Sequence, residues 1–265
     1  MTKKLVFIAL SIMMAAVASA QAHEVDSCGV IKRLDAPRSI MLVFTGHYSP
    51  EDNGYTENFD GIETVLDVLK EKHVKASFFP TGITMAQPRY EKSIRRIIDE
   101  GHYLSGHSFA HLLLYDGKKS LVTRDSVAAD LRLMEQQLER YGLDRQDYDI
   151  MMPPYETTNV ETARYYLDEG YTLICPTDGI ISNMDWTRPG TPAYHSASDI
   201  LEQLWQYEKD HGLDGVILLI HAMNYPWRTP DDRPYNYLPQ IIDHLRSQGY
   251  TFTTPKKDNT LSAHE

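Results

Sequence analysis

Short apolar runs alternate with longer amphipathic ones along nearly the whole chain, and this alternation limits the fold more than any other feature. Ile40 to Phe44 reads as a buried strand, and Asn58 to Lys72 carries Ile62, Val65, Leu66 and Leu69 at helical spacing. Strands follow at Lys75 to Phe79, Tyr103 to Ser105, Asp149 to Met152, Tyr171 to Cys175, Gly215 to Ile220 and Tyr250 to Thr253. Between them the pattern predicts helices over Glu91 to Glu100, Asp125 to Tyr141 with Thr123 as cap, Val160 to Glu169, Ala197 to His211 and Leu238 to Gln248. Strands joined by helices imply a parallel sheet. About seven such units favour an α/β fold closed, or nearly closed, into a (β/α) barrel.

The chain begins with Met1-Thr2-Lys3-Lys4, an apolar run from Leu5 to Val17, and small residues around Ala18-Ser19-Ala20. A basic start, a short apolar core and small residues at the cleavage positions describe a signal peptide over 1–22. That leaves residues 23–265 as one exported domain, secreted or periplasmic, with no membrane span in the mature protein. The net charge of -11 argues against nucleic acid or an anionic membrane surface as a partner. An oxidising compartment would permit a bridge between Cys28 and Cys175, but nothing in the sequence brings them together. The tail from Lys256 to Glu265 is polar and is expected to be disordered.

In a barrel of this kind chemistry gathers where the strands end. The segments that follow the predicted strands are Thr45-Gly46-His47, Thr81-Gly82, His107 to His111, Pro153-Pro154-Tyr155-Glu156, Thr177-Asp178 and His221. Polar, titratable and aromatic residues therefore collect at one end. Of these, His107-Ser108-Phe109-Ala110-His111 places two imidazoles four residues apart, a spacing expected to put both on one face of a helical turn within reach of one metal ion. Taken alone, such a pair is more readily a cap and a surface histidine.

The chain resembles the polysaccharide deacetylases of carbohydrate esterase family 4, from about Ile40 to Thr254. His107 to His111 matches the family's His-Ser/Thr-x-x-His motif, and Pro153-Pro154-Tyr155 the core of Arg-x-Pro-Tyr. Asp185-Trp186 is similar to the Asp-Trp motif, Leu218-Leu219-Ile220-His221 to Leu-x-x-His, and Lys75 to Phe79 to Lys-Ala-Thr-Phe-Phe. The resemblance implies a distorted (β/α) barrel, a divalent metal (zinc above all), a carbohydrate substrate and hydrolysis of an acetyl group. It also implies that His107 and His111 bind the metal, that the Tyr155 backbone N–H steadies the oxyanion, and that His221 protonates the leaving group.

Two motifs depart from the family. Where it has Thr-Phe-Asp-Asp-Gly, which supplies a base and a metal ligand, this chain has Val43-Phe44-Thr45-Gly46-His47. The arginine of the third motif is replaced by Met152. His47 is the candidate third ligand, with Glu51 and Asp52 in reserve; its alternative reading is a loop histidine facing substrate or water. Glu156 is the candidate base, or else an acidic residue suited to the start of a helix. Asp178 and Asp185 are the other carboxylates near the predicted cavity, and Tyr155, Asp185 and Trp186 are expected to contact substrate. Tyr225, Trp227, Arg228, Asp231, Asp232 and Arg233 add aromatic and charged groups suited to a carbohydrate cleft. His23, His73, His102, His195, His211, His244 and His264 receive no role. A non-catalytic carbohydrate-binding protein on the same barrel is the alternative function.

Overall fold

The computed structural model describes residues 23–49 and 58–255; the expected leader, Glu51 and Asp52, and the polar tail lie outside them. A short antiparallel hairpin, β1 (Glu24–Val25) and β2 (Ile31–Arg33), leads in. The next strand, β3 (Ser39–Gly46), is buried along nearly its whole length. Ile40, Leu42 and Phe44 pack into one apolar cluster with the helices, whereas Met41 and Val43 join Phe79, Ile217 and Leu219 in a second cluster. Successive strand residues point to opposite faces. Thr45 therefore continues the row of Met41 and Val43, and Gly46 that of Phe44.

The remaining elements largely alternate, with two successive helices between one pair of strands. They are α1 (Ile62–Glu71), β4 (Ser77–Pro80), a short α2 (Gly82–Ala86), α3 (Glu91–Asp99), β5 (Tyr103–Leu104), α4 (Arg124–Arg140), β6 (Ile150–Met151) and α5 (Val160–Asp168). Then come β7 (Thr172–Leu173), α6 (Ala197–His211), β8 (Ile217–His221), α7 (Leu238–Ser247) and β9 (Thr251–Phe252). The apolar stripe of α1 is completely buried, each of Ile62, Val65, Leu66 and Leu69 contributing roughly 1.5–3 kcal/mol. Thr123 caps α4, its side chain accepting from the Ser126 N–H.

The strands run β5-β4-β3-β8 in one parallel sheet, with β9 pairing alongside β3; β6 and β7 form a separate parallel pair. Side chains join the two sets where the ladders stop. Tyr103 Oη accepts from Ile150 N at 3.0 Å and lies 3.3 Å from Ile150 O, linking β5 to β6. On the other side Thr177 N donates to Ile217 O at 3.1 Å, and Ile217 N donates to Thr177 Oγ1 at 3.0 Å. The result is the distorted (β/α) barrel expected from the sequence. Its strands around β6 and β7 are shorter than their apolar runs because these side-chain bonds replace regular pairing. Among the described residues no helix is long and apolar enough to cross a membrane.

Candidate active site

A cavity of about 200 Å³ opens at the carboxyl ends of the strands, lined by Thr45, Gly46, His47, His107, His111, Tyr155, Glu156, Trp186, His221, Met223 and Tyr225. Of the predicted site residues, His47, His107, His111, Tyr155, Glu156, Trp186 and His221 reach it, whereas Asp185 and Asp178 do not.

The histidine pair is held differently from the sequence expectation. His107 to His111 is an irregular loop after β5, with Ser108 (φ 62°) and His111 (φ 55°) in the left-handed region, so the two imidazoles do not share a helical face. Backbone bonds outside the loop account for this. Ser108 O and Phe109 O accept from the N–H groups of Gly82 and Ile83, while Phe109 N and Ala110 N donate to the Asp130 carboxylate at 2.7 and 2.9 Å. The loop's groups are thus committed to partners that a helical turn could not reach. Asp130 was missed by the sequence reading, although a carboxylate on the buried face of α4, beside Val127, Leu131 and Met134, was its signal.

The loop still brings the rings together. His107 and His111 have centroids 5.1 Å apart, and His47 lies 4.6 Å from His111. Burial drives the His107 imidazole down to about 3, against the pull of the Met152 carbonyl, with His221 and His47 lowering it further. Burial also holds His111 well below its ordinary value, reinforced by His107, His47 and His221. Both rings are therefore neutral at physiological pH. His107 Nδ1 lies 2.8 Å from Met152 O; a carbonyl only accepts, so that nitrogen carries the proton and Nε2 keeps its lone pair. Two neutral rings, that of His107 with its tautomer fixed by a backbone carbonyl, suit a divalent metal. Among the described residues, however, no three His, Cys, Asp or Glu side chains already stand in a metal-binding arrangement. The donor chemistry fits, while the rings meet with planes 31° and 38° apart.

At the end of β3, Thr45 is buried, and its Oγ1 has no hydrogen-bond partner among the described residues. Gly46 backs onto Phe59: a Cβ there would stand 1.8 Å from the ring, which leaves no room for a carboxylate. His47 Nδ1 lies 3.2 Å from Thr81 Oγ1.

The end of β6 supplies what β3 lacks. Pro154 to Glu156 forms a tight turn in which Tyr155 (φ 58°) and Glu156 (φ 50°) are both left-handed, closed by Glu156 N donating to Pro153 O at 3.0 Å. Non-glycine residues adopt this conformation at a cost of about 1–2 kcal/mol each. The turn lays the Tyr155 ring on His111, 4.2 Å between centroids, and places Glu156 Oε1 3.5 Å from His107 Nε2. Burial raises the Glu156 carboxyl to about 6, with His221 opposing and Asp185 adding to the shift. Cys175 Sγ donates to the Glu156 carbonyl at 3.5 Å, and both cysteines are free thiols.

His221, at the end of β8, is fixed twice by one carboxylate. Asp185 Oδ2 accepts from the His221 N–H at 2.9 Å and Oδ1 from Nδ1 at 2.5 Å, leaving Nε2 as the ring's other nitrogen. The expectation that Asp185 contacts substrate is corrected here: it is 2% exposed and sits behind the imidazole. Asp178 is directed elsewhere, paired with Lys32 at 3.0 Å with its side chain 77% exposed. Trp186 lines the cavity and is 46% exposed; its carbonyl accepts from Trp227 Nε1, and Trp227 stacks on Tyr225 with centroids 5.3 Å apart.

Comparison with known proteins finds relatives among polysaccharide deacetylases. The peptidoglycan-N-acetylmuramic acid deacetylase PdaA of Bacillus subtilis is 28% identical over 224 residues, covering 81% of this chain and 69% of the relative. The peptidoglycan-N-acetylglucosamine deacetylase PgdA of Listeria monocytogenes is 26% identical over 190 residues, 72% of this chain but 34% of that longer protein. In fold, the chain is similar to a CE4 family pseudoenzyme from Bacillus anthracis (TM-score 0.62, 20% identity, 85% of this chain and 67% of that one). It is equally similar to a peptidoglycan N-acetylglucosamine deacetylase solved with a hydroxamate (TM-score 0.62, 20% identity, 88% and 94%). The polysaccharide deacetylase family matches residues 38–174, which include the ends of β3, β5 and β6 and both metal-motif histidines. The chain belongs to the polysaccharide deacetylase family, carbohydrate esterase family 4.

Proposed function

We propose that the protein is an exported, metal-dependent hydrolase that removes acetyl groups from a carbohydrate. The observation that carries this reading is the convergence of a carboxylate-backed imidazole, His221 with Asp185, and a second, part-buried carboxylate, Glu156, on one cavity beside His107 and His111. His107 and His111, with His47 as the third donor, would hold a divalent metal, most readily zinc, which when bound polarises the acetyl carbonyl and acidifies water.

The chain's own residues supply the remaining chemistry. With its carboxyl near 6, Glu156 is largely ionised at neutral pH and accepts a proton from the attacking water. The backbone N–H of Tyr155, on a left-handed turn that lines the cavity, would steady the developing oxyanion. Protonated His221, its Nδ1–H held by Asp185, releases the Nε2 proton to the departing amine or alcohol. Trp186, Tyr225 and the outer face of Tyr155 offer apolar surfaces to sugar rings.

A second reading, glycan binding without hydrolysis, is favoured by one observation: β3 ends in Thr45 and Gly46, without either family carboxylate. Acetate release separates the two. The first reading expects zinc-loaded protein to release acetate from a panel of acetylated glycans, and expects chelation or His107→Ala to abolish it. Glycan binding that survives chelation, with no acetate from any substrate, would leave the second.

A further inference from the structure

Asp185 rides on a five-residue 3-10 turn, Ser182–Trp186, whose N-terminal residue Ile181 makes no side-chain cap bond. So short a turn has little stability of its own. Its geometry nevertheless decides whether the carboxylate meets both His221 N and His221 Nδ1.

From the geometry we infer that Arg228 is the positioning residue that keys this turn, and with it Asp185, to His221. Arg228 lies beyond the cavity, and its side chain is fully buried. Nη2 donates to His195 O at 2.8 Å, to Thr187 Oγ1 at 3.1 Å and to Met184 O, the residue before Asp185, at 3.4 Å. Nη1 donates to Asp232 O at 3.1 Å and Asp232 Oδ2 at 3.3 Å. Thr187 Oγ1 passes the contact on by donating to Met184 O at 2.7 Å. Asp232 is in turn anchored, accepting from Ala197 N at the start of α6 and from Tyr194 Oη, both at 2.9 Å. One guanidinium thus ties both sides of Asp185-Trp186 to α6.

Burying a cation costs several kcal/mol unless its donors are satisfied. Here a single carboxylate provides the charge and the two Nη groups also reach carbonyls and a hydroxyl on the segments that frame the turn, while Nε is buried with no partner among the described residues. A planar fork reaches these divergent acceptors together, which a lysine ammonium cannot do. The role rests on the reading of His221 as general acid, since it is through the Asp185–His221 bond that Arg228 acts.

The test compares wild type with Arg228→Lys and Thr187→Val, each checked for folding by thermal melting. In Arg228→Lys, kcat is expected to fall about 10–100-fold with KM changed less than about threefold, the usual consequence of a small misplacement of a catalytic group. In nuclear magnetic resonance spectra the His221 Nδ1 proton should move upfield and exchange with solvent about tenfold faster, as loss of roughly 1.4 kcal/mol from that bond would produce. Thr187→Val, which keeps the arginine, should give the same changes more weakly. A folded Arg228→Lys with unchanged kcat and an unchanged Nδ1 proton would overturn the inference. If that variant does not fold, unchanged values in Thr187→Val would overturn it. Should wild type release no acetate, the functional reading fails, while the Nδ1 proton still decides the role of Arg228.

Discussion

The ends of β3 and β8 lie side by side, Thr45 in register with His221, yet they have opposite characters. At β8 an imidazole is held by two bonds to a buried carboxylate. At β3 the corresponding positions hold a hydroxyl without a partner among the described residues and a glycine pressed against Phe59. On the proposed function, the proton-donating half of the site is held together at β8, whereas β3 carries no carboxylate for the accepting half. Glu156, from the end of β6, stands 3.5 Å from His107 and is the carboxylate available to take that place. A base is thus defined by reach and environment, and a barrel offers several strand ends from which to supply one.

The β8 end gives the largest expected effect. His221→Ala should lower kcat by about 10²–10⁴-fold, the usual worth of a positioned acid, with glycan affinity nearly unchanged. Steady-state kinetics and calorimetric binding on the same preparation check both parts. Equal losses in binding would mean that this end serves recognition, and the contrast with β3 would disappear.

The β3 end should show its effect in stability. Gly46→Ala drives a methyl into the Phe59 ring and should destabilise the fold by about 1–3 kcal/mol, lowering the melting temperature by several degrees. A melt unchanged from wild type would show that Phe59 yields easily and that a carboxylate could return at this position.

A third effect, seen only as a slope with pH, lies away from both ends. His102 is buried, accepts from Ala76 N at 3.2 Å, and is driven down to about 4 by burial, with Lys75 adding to the shift. Its folded value lies below the unfolded one, so the unfolded chain binds the proton first as pH falls. Its contribution is complete above about pH 6.5 and lost progressively toward pH 4, as much as ~3 kcal/mol over that window. Denaturant melts at several pH values should show this slope, and His102→Asn should flatten it.

Much of this was legible in the chain. α6 spans the residues its periodicity predicts, Ala197–His211, and α4 starts behind Thr123, because helix period and cap chemistry are local. The strand ends could be read from where apolar runs stop, and with them His47, His107, Tyr155, Glu156 and His221 as residues gathered at one end. What could not be read depends on partners far apart in sequence. Asp130 shapes the His107 to His111 loop from 20 residues or more away, Asp185 binds His221 across 36, and Arg228 reaches back 41 to Thr187. No spacing rule encodes these bonds. His102, given no role from the sequence, is buried and accepts from Ala76 N.

Acetate release by Glu156→Gln tests the relocated base most directly, measured beside wild type and the double variant Glu156→Gln/Thr45→Asp at equal metal loading. The single variant should lose about 10²-fold or more in kcat while still binding glycan, and the aspartate at the β3 end should recover at least about tenfold of that loss. A single variant that turns over at the wild-type rate would show that the proton is accepted elsewhere, and the relocation of the base to Glu156 would be wrong.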